Sequence, residues 1–229
     1  MGKVYFTEKM KLADIISANH NLILMLPRFG IPLGFGDKSV SNVCKQNKVS
    51  TDFFLLVCNV YTFDNYIPDN KNIISINMEL LIPYLLASHN YYLKERLPHI
   101  AKHLHLIAER AGAKYESLLK NFFNEYKNEV SEHFKYEEER VFPYIESLKN
   151  NQPQKLYRIK DFKEAHSNIE DKLNDLIQIV FKYLPGNIEP YESIELVFDI
   201  MQLSSDLNKH ALIEEKILVS YVKLLEKRL

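Results

Sequence analysis

The sequence predicts an all-α protein, in which an up-down four-helix bundle follows a small helical N-terminal domain. From about residue 78 onward, apolar residues recur every three to four positions over long stretches, which is the pattern of amphipathic helices. Only six of the 229 residues are glycine, so few positions favour turns. Short breaks separate four long helical patterns, and long helices with short connections are typical of an up-down bundle.

Residues 1–72 predict the small helical domain. The helices indicated there are shorter, and the loop at 29–39, FGIPLGFGDKS, concentrates the glycines and prolines that form turns. Ser39 and the Ser-Thr-Asp cluster at 50–52 predict the N-caps of two short helices that end near Asn47 and Tyr61. Cys44 and Cys58 fall on these separate helices, so we expect two buried apolar side chains and not a redox pair.

The polar segment Asp64–Asn72 contains a proline, lacks periodicity and predicts a linker. The second domain, the bundle, is predicted at 75–229. Gly112, Asn150 to Pro153 and Pro185 to Asn187 supply the breaks between its helices. Its four helices are predicted at about Met78–Ala111, Lys114–Leu148, Ile159–Leu184 and Pro190–Leu229.

A histidine–glutamate pair that occurs twice is the main sequence evidence for a metal site. His133 and Glu137 are four positions apart, and so are His210 and Glu214. That spacing places an imidazole and a carboxylate one above the other on one helix face, and both pairs fall in line with the apolar stripe of their helix. Because burial disfavours an ionised carboxylate unless a cation compensates, two such carboxylates favour a multivalent cation.

The other two long helices each add an inward histidine, His89 in the first and His166 in the third. Together with the two pairs, they make six ligands, more than one tetrahedral zinc would use. No cysteine cluster is present for a structural zinc site or an iron–sulfur cluster. Two metal ions bridged by carboxylates therefore fit best, and several divalent metals suit these donors.

The segment from about Leu80 to Leu229 resembles the hemerythrin-like (HHE) cation-binding domain, particularly that of the iron–sulfur cluster repair di-iron (RIC) family. The run HFKYEEERVFPYI, His133 to Ile145, is similar to that family's H-x-x-x-E-E-x-x-x-F-P motif, and the spacing to His166 and His210 also fits. The resemblance implies a non-haem di-iron centre, histidine ligands on both irons, and Glu137 and Glu214 as bridges.

The chain departs from the family pattern at two places. GFGDK stands where the family usually shows a Cys-Cys-Gly-Gly-Lys loop, and IAERAGAK lacks the fifth histidine of the first long helix. His103, His105 and Glu109 are alternatives for the missing ligand, and the sequence prefers none of them. For single residues away from the repeated pairs, such as His99, we expect ordinary surface or hydrogen-bonding roles, and for Glu138 a solvated face.

Composition narrows the choice of partners. The 29 lysines and arginines nearly balance the 30 aspartates and glutamates without a basic run, so no nucleic-acid partner is expected. The charged start, MGKVYFTEKMKLADII, and only two cysteines predict neither a signal peptide nor a disulfide framework, so we expect a cytoplasmic protein. No apolar stretch approaches the roughly 20 residues that span a bilayer, so no membrane is expected. A homodimer is compatible with the sequence.

These features favour a di-iron protein that repairs iron centres or responds to nitrosative or oxidative stress, with oxygen or nitric oxide as gas ligands and iron–sulfur proteins as partners. One alternative is a hemerythrin-like sensor or carrier of oxygen or nitric oxide. Another is a structural bundle with a degenerate metal site. Since no nucleophile elbow or phosphate loop is present, the sequence favours a protein that is not a conventional enzyme.

Overall fold

The computed structural model describes residues 5–76, 78–150, 157–163, 169–185 and 188–228, and no β-strand occurs among them. The predicted all-α class is confirmed. The chain divides into two compact units, the first made of Met1–Ser88 with Lys209–Leu229 and the second of His89–Asn208. The predicted boundary between 1–72 and 75–229 stays a prediction.

Four short α-helices form in the N-terminal part of the first unit. The Ser39 side chain accepts a hydrogen bond from the Asn42 amide, and the Ser50 side chain accepts one from the Phe53 amide, so both predicted N-caps are confirmed. The loop before Ser39 uses glycines at positive φ, among them Gly34 at 88°. The helices are α1 (Leu12–Ala18), α2 (Val40–Gln46), α3 (Thr51–Thr62) and α4 (Asn70–Ser75).

Aromatic packing holds this part of the first unit together. The ring of Phe29 lies 5.0 Å from Phe54 and 4.8 Å from Tyr84, between ring centroids. The segment predicted as a linker is tied to the end of the chain, because the Lys216 ammonium donates to the backbone carbonyl oxygens of Asp64 and Tyr66 at 2.5 and 3.0 Å. Helix α4 begins inside the predicted linker.

Within the described residues, helices form over all four predicted long patterns, and π-helical turns interrupt three of these patterns. The first long helix comprises α5 (Leu81–Tyr91), a π segment at Tyr92–Arg96, and α6 (Leu97–Ala111). The second comprises α7 (Ala113–Tyr136), a π segment at Glu137–Val141, and α8 (Phe142–Lys149). The third contains α9 (Ile159–Lys163) and α10 (Ile169–Tyr183), and the fourth comprises α11 (Pro190–Ile213), a π segment at Glu214–Leu218, and α12 (Val219–Glu226).

The core of the second unit is built by these long helices. Buried apolar side chains from all four line it, including Ile100, Phe123, Leu176 and Leu203. Gly112 alone joins α6 to α7, with a φ of 96° that an L side chain would rarely adopt, which explains glycine at this sharp reversal. Among the described helices, none combines the length and apolarity that a bilayer crossing requires.

The two cysteines are buried on α2 and α3, as expected, and their chemistry follows from that burial. Burial raises the pKa of the Cys44 thiol to about 11, and it raises the pKa of Cys58 well above its usual value. Only the thiolate is nucleophilic, so burial and the raised pKa both slow the reactions of these two side chains in the folded protein.

We expect the native protein at pH 8 to react slowly with an aromatic disulfide reagent at both cysteines, and the protein in denaturant to react at both within minutes. Absorbance of the released thiolate gives the count and the rate. Ala18→Cys, at an exposed position at the end of α1, is the matched control and reacts at once without denaturant. Rapid modification of native Cys44 or Cys58 would contradict the burial.

Candidate metal centre

The second long helix places one carboxylate between two imidazoles. Glu137 is fully buried at the first residue of the π segment that follows α7. Its Oε1 lies 3.0 Å from Nε2 of His133, one turn earlier on the same helix. Its Oε2 lies 3.1 Å from Nε2 of His89, which comes from α5. The structure thus brings together three of the predicted ligands, His89, His133 and Glu137.

The His89 ring stacks on an aromatic ring and has a glutamate at each of its two nitrogens. The ring stacks on Phe134 with centroids 4.0 Å apart and an interplanar angle of 8°. Nδ1 lies 2.9 Å from Oε1 of Glu138, and the opposite nitrogen faces Glu137. Asn90, which a strict motif register would prefer, is exposed, whereas His89 is buried. Burial and stacking therefore favour His89 at this position.

Glu138 contacts one of the predicted ligands, a contact that the sequence analysis missed. Its side chain is 41% exposed, as predicted for a solvated face, but its carboxylate contacts His89 Nδ1. In metal-bound histidines, a carboxylate commonly holds the proton on one ring nitrogen and leaves the other nitrogen as the ligand atom. The contact between Glu138 and His89 has this form. In the sequence, the only indication of this contact was that Glu138 directly follows Glu137 in the motif.

The fourth long helix contributes the second predicted pair, in the first unit. His210 and Glu214 are both buried, and His210 Nε2 lies 3.0 Å from Glu214 Oε1. As at Glu137, the glutamate begins a π segment. Asp206 is a further buried carboxylate one turn before His210, and its backbone carbonyl accepts a hydrogen bond from the Tyr92 hydroxyl at 3.2 Å. Asp206 precedes His210 by four residues, a spacing that the sequence analysis did not single out.

The structure does not bring the remaining described candidate ligands to Glu137. His166 lies outside the described residues. His103, one alternative for the missing histidine, contacts Asp199 at 3.3 Å, while His105 and Glu109, the other two, contact each other at 2.9 Å on a half-exposed surface. The structure thus gives all three alternatives partners other than Glu137.

The donors suit a metal ion. Two histidines and two glutamates of the right kinds to hold one are buried, namely His89, Glu137, His210 and Glu214. Imidazole nitrogen and carboxylate oxygen are the ligands that non-haem iron and related divalent metals take, whereas thiolates would indicate other centres. Burying an ionised carboxylate costs on the order of several kcal/mol unless a cation compensates. A bound cation is therefore the natural counterpart of this donor set.

Comparison with known proteins agrees with the site. The family model described as the hemerythrin HHE cation binding domain matches residues 81–222, well over half of the chain. The chain is also 21% identical over 188 residues to the iron-sulfur cluster repair protein ScdA of Staphylococcus haemolyticus (strain JCSC1435), an alignment that covers 80% of this chain and 83% of that protein. The chain belongs to the hemerythrin HHE cation-binding domain family, as predicted, and is a metal-binding, hemerythrin-like protein.

Proposed function

We propose that the chain holds a non-haem di-iron centre with His89, His133, Glu137, His166, His210 and Glu214 as its protein ligands. The observation that carries this proposal is the Glu137 carboxylate, which directs one oxygen to each of two imidazole nitrogens. Glu137, with His89 on one side and His133 on the other, would help to hold the iron pair, as glutamates and histidines on facing helices do in di-iron bundles.

The contact distances are compatible with metal ligands, although ordinary N–H···O hydrogen bonds have the same length. The three histidine–glutamate contacts measure 3.1, 3.0 and 3.0 Å. His210 and Glu214 repeat the pattern of His133 and Glu137 on a separate helix, so Glu214 is the second proposed carboxylate ligand. Each pair thus provides one imidazole and one carboxylate.

The biological role that we propose is the repair of iron centres under nitrosative or oxidative stress. Its support is the similarity to a protein named for iron–sulfur cluster repair. An iron pair, when bound, supplies redox chemistry and the capacity to bind oxygen or nitric oxide. Loss of the family's fifth histidine favours an open position at one iron, which suits a centre that binds a gas or releases iron.

The first test of the centre is iron content. We expect about two irons per chain in protein purified without oxygen, and loss of iron in His133→Ala and Glu214→Ala, because each variant removes a ligand from the buried donor set. Elemental analysis measures the content. His20→Ala is the control, since His20 lies at the start of a short helix in the N-terminal part and should leave the iron content unchanged.

Circular dichroism of each variant separates ligand loss from unfolding. Folded variants that keep two irons would refute the proposed ligands. A wild-type protein that stays free of metal, and whose melting temperature does not change when iron is added, would instead favour the structural bundle with a degenerate site.

Glu138 gives a more specific prediction. If its carboxylate orients His89, Glu138→Ala lowers iron affinity by about 10- to 100-fold. Glu138→Gln loses less, because the amide oxygen still accepts from Nδ1. Chelator competition measures the affinity, and the absorption spectrum of the centre reports on its ligands. Glu139→Ala is the matched control, being the next residue and fully on the exposed side. Equal affinities of the Glu138 and Glu139 variants would remove Glu138 from the centre.

The proposed repair role is tested by measuring whether the protein restores a damaged iron–sulfur enzyme. The iron-loaded protein is mixed with an iron–sulfur enzyme whose cluster has been damaged by nitric oxide, and the recovered activity of that enzyme is measured. We expect recovery with wild-type protein and none with folded Glu214→Ala. Absence of recovery combined with a reversible oxygen adduct in the absorption spectrum would favour the sensor or carrier instead.

A further inference from the structure

A second cluster of metal-ligating side chains lies in the second unit, away from the proposed ligands in sequence. His99 and His103 occupy successive turns of α6, and Asp199 comes from α11. Nε2 of His99 and Nδ1 of His103 lie 3.2 and 3.3 Å from the same atom, Oδ2 of Asp199. Two imidazoles thus converge on one carboxylate oxygen.

We propose that His99, His103 and Asp199 form a second metal site, for zinc. Histidines four residues apart on one helix place their nitrogens on a common side, and two imidazoles with one carboxylate are a ligand set that zinc takes in proteins. The side chain of His99 is more than half exposed, so its ring can rotate to share an ion with His103. This site is independent of the proposed di-iron centre.

Asp199 is held in the orientation that such a site needs. The Arg96 guanidinium donates to Oδ1 of Asp199 at 2.8 Å and to its backbone carbonyl at 3.1 Å, which leaves Oδ2 toward the histidines. The contact with Arg96 therefore fixes the carboxylate without using the oxygen that faces the two imidazoles.

The cluster opens onto a cavity of about 490 Å³, which gives an ion an entry path. Glu195 and Lys102 line the same cavity. Three protein ligands beside an open cavity leave room for water at the ion, the usual composition of an accessible zinc site.

The same helix offers a matched control. His105 and Glu109 form a histidine–carboxylate contact of 2.9 Å on α6, but the pair is only one imidazole and one carboxylate on a half-exposed surface. If zinc merely binds any such pair, His105 should behave like His99. If the three-residue cluster is the site, only His99 and His103 should respond.

The test uses the wild-type chain loaded with iron and probes each histidine with diethyl pyrocarbonate, with and without zinc, using mass spectrometry to locate the modified residues. We expect zinc to slow modification of His99 and His103 at least tenfold and to leave His105 and His20 unchanged. In Asp199→Asn, shown to be folded by circular dichroism, zinc protection of His99 should be lost.

Protection confined to His133, or equal protection of His99 and His105, would overturn the proposal. So would unchanged protection in folded Asp199→Asn. Because the readout is specific to each residue, the two centres are judged separately. Protection at His99 in a chain that binds no iron would refute only the di-iron centre, and iron binding without that protection would refute only the zinc site.

Discussion

The buried carboxylate of Glu137 is the constraint on which the bundle's arrangement depends. It lies between the imidazoles of His89 and His133, with an oxygen 3.0 to 3.1 Å from a nitrogen of each. A buried carboxylate needs polar partners with good geometry, so two helices must present their histidines to it in register. The stacking of His89 on Phe134 and the Glu138 contact supply that register.

The π segments begin at or near the histidines and glutamates of the proposed centre. Glu137 and Glu214 each begin one, four residues after a histidine, and a third begins at Tyr92, three residues after His89. A π turn holds an extra residue and is frequently found at functional sites. At Glu137 it lets two consecutive glutamates reach the two nitrogens of one imidazole, although successive residues of an α-helix diverge by about 100°.

The same turns accommodate the prolines of the first and second long helices. Pro98 and Pro143 lie in the first turn of the α-helix that follows a π segment, where the missing amide hydrogen costs little. The runs that contain them, LKERLPHI and EEERVFPYI, are alike. Proline in a long amphipathic pattern therefore marked these interruptions, although the periodicity alone predicted continuous helices.

The sequence by itself determined the features that arise within a few residues of chain. The helical class, the caps at Ser39 and Ser50, the reversal at Gly112 and the pairing of histidine with glutamate at a spacing of four all follow from helix periodicity and local hydrogen bonding. These predictions held because a helix brings residues three and four apart together whatever surrounds it. The family motif from His133 to Pro143 is local in the same sense.

Only the tertiary structure decided which polar groups meet across helices. His89 and Glu138 are 49 residues apart, and His103 and Asp199 are 96 apart. The rotation of one helix against another sets such contacts, and that rotation depends on how the large side chains of the core pack together. Periodicity places a side chain on a face of its own helix but leaves its partner on the next helix undefined, and for that reason Glu138 and the Asp199 cluster appeared only in the fold.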